Sequence, residues 1–308
     1  MASPPPSGRQ FAIAHGRQEA VITEVGAGLR TYTIEGIDIL DGYAEDEICT
    51  VARGAPLLPW PNRLEDGRYD FMGVTYQTPL TEPSQHNAIH GLTRWMNWTG
   101  VMEADGRVRM SLLLHPQEGY PFTLELAIEY GLDDRGLTVR TTARNAGDRP
   151  LPYGAGQHPY LTLGTDSVDR ISMRLPALLR MEVDGRQIPT GRLIQVKDTE
   201  FDFLEPRELG KTRLDTAFTS LIPEADGLTR IVLESPAGGR RSTLWMDAAY
   251  DYVMVFTGDT IPEASRRRQG LGLEPMTCAP NAFRTGLGLT RLGPGESTNS
   301  SWGIFAVV

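Results

Sequence analysis

The stretch Phe122-Thr123-Leu124-Glu125-Leu126-Ala127-Ile128-Glu129 decides the fold class. Phe122, Leu124, Leu126 and Ile128 fall on one side of an extended chain and Thr123, Glu125 and Glu129 on the other, the period of a half-buried strand. Just upstream, Val108, Met110, Leu112 and Leu114 alternate with Arg107, Arg109 and Ser111 in the same way. The turn from Pro116 to Gly119 between these runs is short enough to predict an antiparallel hairpin. A third run, Leu137 to Ala143, follows a turn at Asp133, Asp134 and Gly136, which makes a three-stranded meander.

Working outward, similar short strands are predicted at Glu19 to Val25, Leu29 to Ile34, Leu228 to Leu233, Ser242 to Met246, Tyr252 to Phe256 and Trp302 to Val308. Only Ala44 to Val51 and Leu204 to Leu209 have room for a turn or two of helix. The 33 glycines and 22 prolines are spread along all 308 residues, a punctuation that favours β over α structure. The expected architecture is all-β: one large antiparallel β-sandwich over residues 9–308, with its chemistry on loops, behind a disordered Pro/Ser-rich lead at residues 1–8. A division into two domains near residue 150 is the alternative.

The net charge of −9 argues against a sequence-independent grip on nucleic acid, whose phosphates demand a basic surface. No apolar run reaches the length of a membrane-spanning helix, and Met1 to Gly8 has neither the basic nor the apolar region of a signal peptide. A cytoplasmic protein is expected, with Cys49 and Cys278 as free thiols.

Polar residues able to do chemistry gather in four Gly/Pro-rich connections. In Pro59-Trp60-Pro61-Asn62-Arg63 the prolines stiffen the backbone and aim Asn62 and Arg63. In His86-Asn87-Ala88-Ile89-His90-Gly91 the two imidazoles have a spacing that suits a metal on a helix, but Pro83, Gly91 and the lack of a third His or Cys nearby argue against a metal site. A polar cleft beside Trp95 and Trp98 is the better reading, since indole faces suit the C–H faces of a sugar ring. The third connection is Tyr153-Gly154-Ala155-Gly156-Gln157-His158-Pro159-Tyr160, whose imidazole can exchange a proton near neutral pH. In the fourth, Gly270-Leu271-Gly272-Leu273-Glu274-Pro275-Met276-Thr277, a lone carboxylate among apolar neighbours is expected to be desolvated and its pKa raised toward that of a general base.

Taken in order, Asn62-Arg63, Gly67 to Tyr76, His86 to Gly91, His158-Pro159-Tyr160, Leu214 to Phe218, Glu274-Pro275-Met276-Thr277 and Pro294 to Glu296 resemble the motifs of the aldose 1-epimerase (galactose mutarotase) family, from about residue 10 to the C-terminus. The resemblance implies a large antiparallel β-sandwich and an isomerase that interconverts the anomers of a sugar. It implies His158 as general acid and Glu274 as general base, with Arg63, His90 and Asp215 holding sugar hydroxyls and Asn62, Trp95 and Tyr160 beside them. The reaction requires no cofactor, metal or covalent intermediate, and the expected partner is a small sugar bound by a monomer or homodimer. With ordinary pKa values of about 4.3 for Glu and about 6.5 for His, the base is ionised near neutrality and part of the acid is protonated, a fraction that a nearby carboxylate would increase. The two side chains are expected to face one cleft on opposite sides of a sugar-sized space.

His90-Gly91-Leu92-Thr93-Arg94-Trp95 is closer to a bacterial branch of the family than to the galactose enzymes, which tend to a second Gly after His-Gly. One alternative is therefore a sugar with an anionic group on C6, a hexose phosphate or a sulfosugar, met by Arg94 or by Arg266-Arg267-Arg268. Another is a carbohydrate-binding protein that kept the pocket without the chemistry.

Overall fold

A computed structural model of the chain describes residues 4–236 and 238–308. The predicted meander is present as Arg107–Leu114, Leu124–Asp133 and Gly136–Asn145, paired antiparallel with Leu114 opposite Leu124 and Leu124 opposite Asn145. Leu124, Leu126 and Ile128 are fully buried, each such side chain contributing about 1.5–3 kcal/mol of apolar burial. On the opposite face Glu125 pairs with Arg144 and Glu129 with Arg109 across neighbouring strands, so the charged half of the alternation is satisfied at the surface.

The meander belongs to a nine-stranded sheet. It runs from Thr99–Ala104 through the meander to Ser297–Val307, Arg241–Met246, Thr229–Glu234, Ser172–Arg174 and Arg207–Glu208. A second large sheet takes the order Pro189–Gln195, Ala177–Val183, Asp215–Leu221, Tyr252–Phe256, Leu271–Met276, Gly156–Gln157 and Pro56–Leu57, with Tyr160–Leu161 also paired to Leu271–Met276. One apolar cluster joins the two sheets, including Val139, Leu244, Trp302 and Ile304 from the first and Phe218, Val253, Val255, Leu271 and Leu273 from the second. A four-stranded sheet, Gln10–His15, Gln18–Thr23, Leu29–Ile34 and Ile37–Asp38, packs on the same cluster. The architecture is the expected antiparallel β-sandwich.

The turn or two of helix for which Ala44 to Val51 and Leu204 to Leu209 had room is not formed. Ala44–Val51 is irregular, with Val51 at φ 47°, and Leu204–Leu209 contains Pro206 and gives the edge strand Arg207–Glu208. The four-residue helix lies instead at Ala282–Thr285, ended by Gly286 in the left-handed region, the conformation that glycine adopts without a Cβ penalty. Of the expected disordered lead, Met1–Ser3 lie outside the described residues. Further along it Ser7 is buried, and its carbonyl accepts the Val25 N–H. Cys49 and Cys278 are both free. Among the described residues no helix is long and apolar enough to cross a membrane.

Candidate active site

Strand register builds one wall of a cleft of about 310 Å³. In the second sheet Asp215 lies opposite Phe256, Phe256 opposite Gly272, and Gly272 opposite Tyr160, while Glu274 lies opposite Met254. Leu271 and Leu273 point into the core, so the alternation of a strand sends Gly272 and Glu274 to the other face, where Asp215, Phe256 and Tyr160 line the cleft with Glu274. A Cβ on Gly272 would press on Phe256, so glycine leaves the ring its room. The rest of the lining comes from Val51 and Ala52, Asn62, Thr81 and Glu82, His90 and Arg94 in irregular segments, and from Arg63 and Ile89, which face each other in a short two-stranded pairing.

At the centre His158 Nε2 lies 3.2 Å from Glu274 Oε1, and both residues are buried. His158 stacks on Tyr160 with 4.9 Å between ring centroids, and His90 meets its edge at 5.2 Å. Arg53, itself buried and paired with Asp41, lies over the Tyr160 ring. Among the described residues His158 Nδ1 and Glu274 Oε2 are buried without a hydrogen-bond partner, a costly arrangement that makes them groups held ready for a ligand. Four non-glycine residues lining the cleft, Val51, Ala52, Asn62 and His90, are in the left-handed region at φ 47° to 63°, strain of about 1–3 kcal/mol each that tends to collect at functional sites.

Burial governs the protonation of the pair, and here the ordinary values do not carry over. Desolvation pushes the Glu274 carboxyl well above its usual range, Asp215 adding and Arg63 opposing. Desolvation pushes the His158 imidazole well below its usual value, Arg94 and Arg53 adding. Burial thus disfavours charge on both members of the pair, where the ordinary values would leave the carboxyl ionised and part of the imidazole protonated. His90 is likewise pushed down by desolvation and by the neighbouring His158. Its Nδ1 accepts the Asn62 N–H at 3.2 Å, so its remaining proton sits on Nε2 as a neutral donor.

A stability measurement checks the two opposed shifts. Folding raises the Glu274 pKa above 4.5, so its contribution to stability is present below 4.5 and is lost as pH rises past it; folding lowers the His158 pKa from 6.5 to about 3, so its contribution is present above 6.5 and is lost as pH falls. Just above 4.5 the two changes oppose each other, and between 4.5 and about 3 the loss from His158 stands alone, with a limiting slope of about 1.4 kcal/mol per pH unit. Unfolding free energies of wild type minus those of a His158→Asn/Glu274→Gln variant should therefore fall as pH drops below 4.5. A difference that stays level there would remove the claim.

His90, His158 and Glu274 also offer three ligand atoms within 4.8 Å of one another, a possible metal set. Its surroundings fit poorly. A neutral histidine binding through Nε2 carries its proton on Nδ1, yet Nδ1 of His90 is already an acceptor, and Nδ1 of His158 has no carbonyl or carboxylate to orient it.

Of the sequence candidates, His158, Glu274, Arg63, His90, Asp215, Asn62 and Tyr160 all line the cleft. Asn62 works mainly through its backbone N–H to His90 and through Oδ1, which accepts the Arg63 N–H at 2.8 Å. The two tryptophans are not cleft walls: Trp98 is buried in the core, and Trp95 is 57% exposed beyond Arg94. His86 is exposed and pairs with Asp66. Arg266 and Arg268 are taken up by carboxylates, Asp41 with Glu47 and Asp169 with Asp259, and Arg267 bonds to the carbonyl of Ile261. They are fastenings of their loop and not a substrate site. Glu82, which lines the cleft and grips Arg63, went unread; a Glu before a Pro in a polar loop carries no signal for that role.

A β-sandwich with a buried carboxyl–imidazole pair in a polar, sugar-sized cleft is a class that many chemistries could share. The sequence narrows it: the aldose 1-epimerase family profile matches residues 9–304, and the chain belongs to that family. The uncharacterized protein YihR of Escherichia coli (strain K12) is 34% identical over 291 residues, 94% of this chain and 91% of its own. Galactose mutarotase of Rattus norvegicus is 28% identical over 190 residues, 60% of this chain and 54% of its own. Among solved structures, a GalM/aldose epimerase homologue from C. elegans superimposes with a TM-score of 0.85 at 20% identity, covering 97% of this chain and 98% of its own, which bears on the fold.

Proposed function

We propose that the chain is an aldose 1-epimerase that interconverts the α and β anomers of an aldohexose, with Glu274 as base and His158 as acid. The observation that carries this reading is the 3.2 Å approach of His158 Nε2 to Glu274 Oε1, with Arg63, His90 and Asp215 lining the same cleft. An acid and base on opposite sides of a sugar-sized space were expected, but the closer spacing suits the chemistry. O1 and O5 of a cyclic aldose are bonded to the same carbon, so both groups have to converge on one edge of the ring. Glu274 takes the proton of the anomeric hydroxyl, the C1–O5 bond breaks with its electron pair going to O5, and His158 supplies the proton that O5 needs. The resulting aldehyde turns about C1–C2, and closure on its other face returns both protons. His90 Nε2–H and the Arg63 guanidinium donate to sugar oxygens, and Asp215 accepts from a hydroxyl. NMR exchange between anomers over a panel of aldoses tests the reading; absence of exchange with every sugar would leave a carbohydrate-binding protein.

Arg94 favours a second reading, an aldose with an anion on C6. Its side chain lines the cleft and, among the described residues, forms no ion pair or hydrogen bond. Burial lowers its pKa, so an anion would relieve the cost of its desolvation. Arg94→Gln is then expected to lower kcat/KM for a hexose 6-phosphate by about 10- to 100-fold, the worth of a hydrogen bond to a charge, and to leave the neutral hexose within about threefold. Wild type that prefers the neutral sugar rejects this substrate.

A further inference from the structure

Arg63 is one of the groups that the reaction above assigns to the sugar, and its geometry is set by a residue with no assigned role. Glu82 grips the guanidinium along one edge: Nε lies 2.9 and 3.2 Å from the two carboxylate oxygens and Nη2 lies 3.0 Å from Oε1. Nη1 makes no hydrogen bond among the described residues and stands 4.0 Å from Asp215 Oδ2. The grip thus consumes two of the three nitrogens and leaves the third, with both its protons, directed to the Asp215 side of the cleft.

The carboxylate is not needed to fasten its own loop. The Glu82 N–H donates to the Asn87 carbonyl at 2.9 Å and the Asn87 N–H to the Glu82 carbonyl at 3.2 Å, a backbone bridge that stands without the side chain. Asn87, fully buried, then donates from Nδ2 to Glu82 Oε2 at 3.2 Å and to the Arg186 carbonyl at 3.1 Å, and so fixes the carboxylate's orientation. Arg63 is fastened independently by its strand pairing with Ile89. Two anchored backbones therefore present one bidentate pair at the cleft wall, an arrangement that restricts a planar guanidinium to one pose.

We propose that Glu82 is a positioning residue for sugar binding, holding Arg63 with Nη1 free for a sugar oxygen and keeping the guanidinium from closing onto Asp215. The proposal rests on the reading of the site as a mutarotase. Without the Glu82 charge, the nearest anion to Arg63 is Asp215, and a direct pair between them would occupy the donor and the acceptor that the sugar uses. The cleft would also lose the charge that offsets Arg63, whose guanidinium already lowers the Glu274 carboxyl, so protons there become easier to release.

Glu82→Gln keeps the size and should raise KM by about 10-fold, with kcat within about threefold, because the lost alignment is the worth of one hydrogen bond to a charged group. Both limbs of its kcat/KM pH profile should move to lower pH, by about half a unit or more. Glu82→Asp keeps the charge but not the reach, and should return the limbs to their wild-type pH while KM stays elevated. Thermal melting of the three proteins is measured alongside. A wild-type KM and profile in Glu82→Gln overturns the proposal, as does an equal loss in both variants with unmoved limbs and lowered melting, the pattern of a loop fastener. Wild type without anomer exchange overturns the mutarotase reading and this role with it, whereas an active wild type with an indifferent Glu82→Gln removes this role alone.

Discussion

Glu274→Gln is expected to slow anomer exchange by about 10²- to 10⁴-fold, the usual contribution of a positioned general base, and to raise the melting temperature at neutral pH. The two effects have one origin. Glu274 is 2% exposed, and its Oε2 has no hydrogen-bond partner among the described residues. Desolvation raises this carboxyl's pKa on folding, so above its unfolded value the preference for ionisation favours the unfolded chain. Glutamine occupies the same volume, cannot ionise, and can donate to His158 Nε2. NMR exchange between anomers and thermal melts on the two proteins decide the matter. Unchanged exchange would sink Glu274 as the base, and a lowered melting temperature would mean that the buried carboxyl does not oppose folding.

Gly91→Ala is expected to destabilise the fold by about 3 kcal/mol or more, and with it the position of His90. Gly91 has φ +68° and follows His90 at φ 63°, so two successive residues run left-handed. A Cβ on Gly91 would fall inside the van der Waals shell of the Leu58 carbonyl, a backbone group that also accepts the Leu92 N–H at 2.7 Å. Backbone cannot step aside as a flexible side chain would, so the cost adds steric displacement to the strain of φ. Urea denaturation measures it; a loss under about 0.5 kcal/mol would mean that the segment shifts freely.

Alternation alone made the meander legible, because a sheet with one wet face writes its period into the sequence: Glu125 and Glu129 outward, Leu126 and Ile128 inward. Local pattern misled at Ala44–Val51, whose composition suits a helix but whose backbone is irregular and turns left-handed at Val51, where it reaches the cleft. The cleft residues themselves were found through ordered motifs, yet their arrangement is a matter of register between strands far apart in the chain, as with Asp215 opposite Phe256 and Gly272 opposite Tyr160. No short window contains that information. Nor does it contain charge neutralisation at a distance: Arg266 finds Asp41 across more than two hundred residues, and Glu82 finds Arg63 because the pairing of Arg63–Glu65 with Asn87–Ile89 brings them together. The protonation of His158 was misjudged for the same reason, since a free imidazole carries no sign of how deeply the fold will bury it.

In the contact between His158 and Glu274, burial disfavours charge on both groups. In the proposed cycle both are uncharged only while the ring is open. If the cycle runs as proposed, burial would bias the protein toward that open-chain stage and away from its two cyclic ends. The low-dielectric wall would then lower the cost of the least stable sugar form by making the matching protein state the comfortable one.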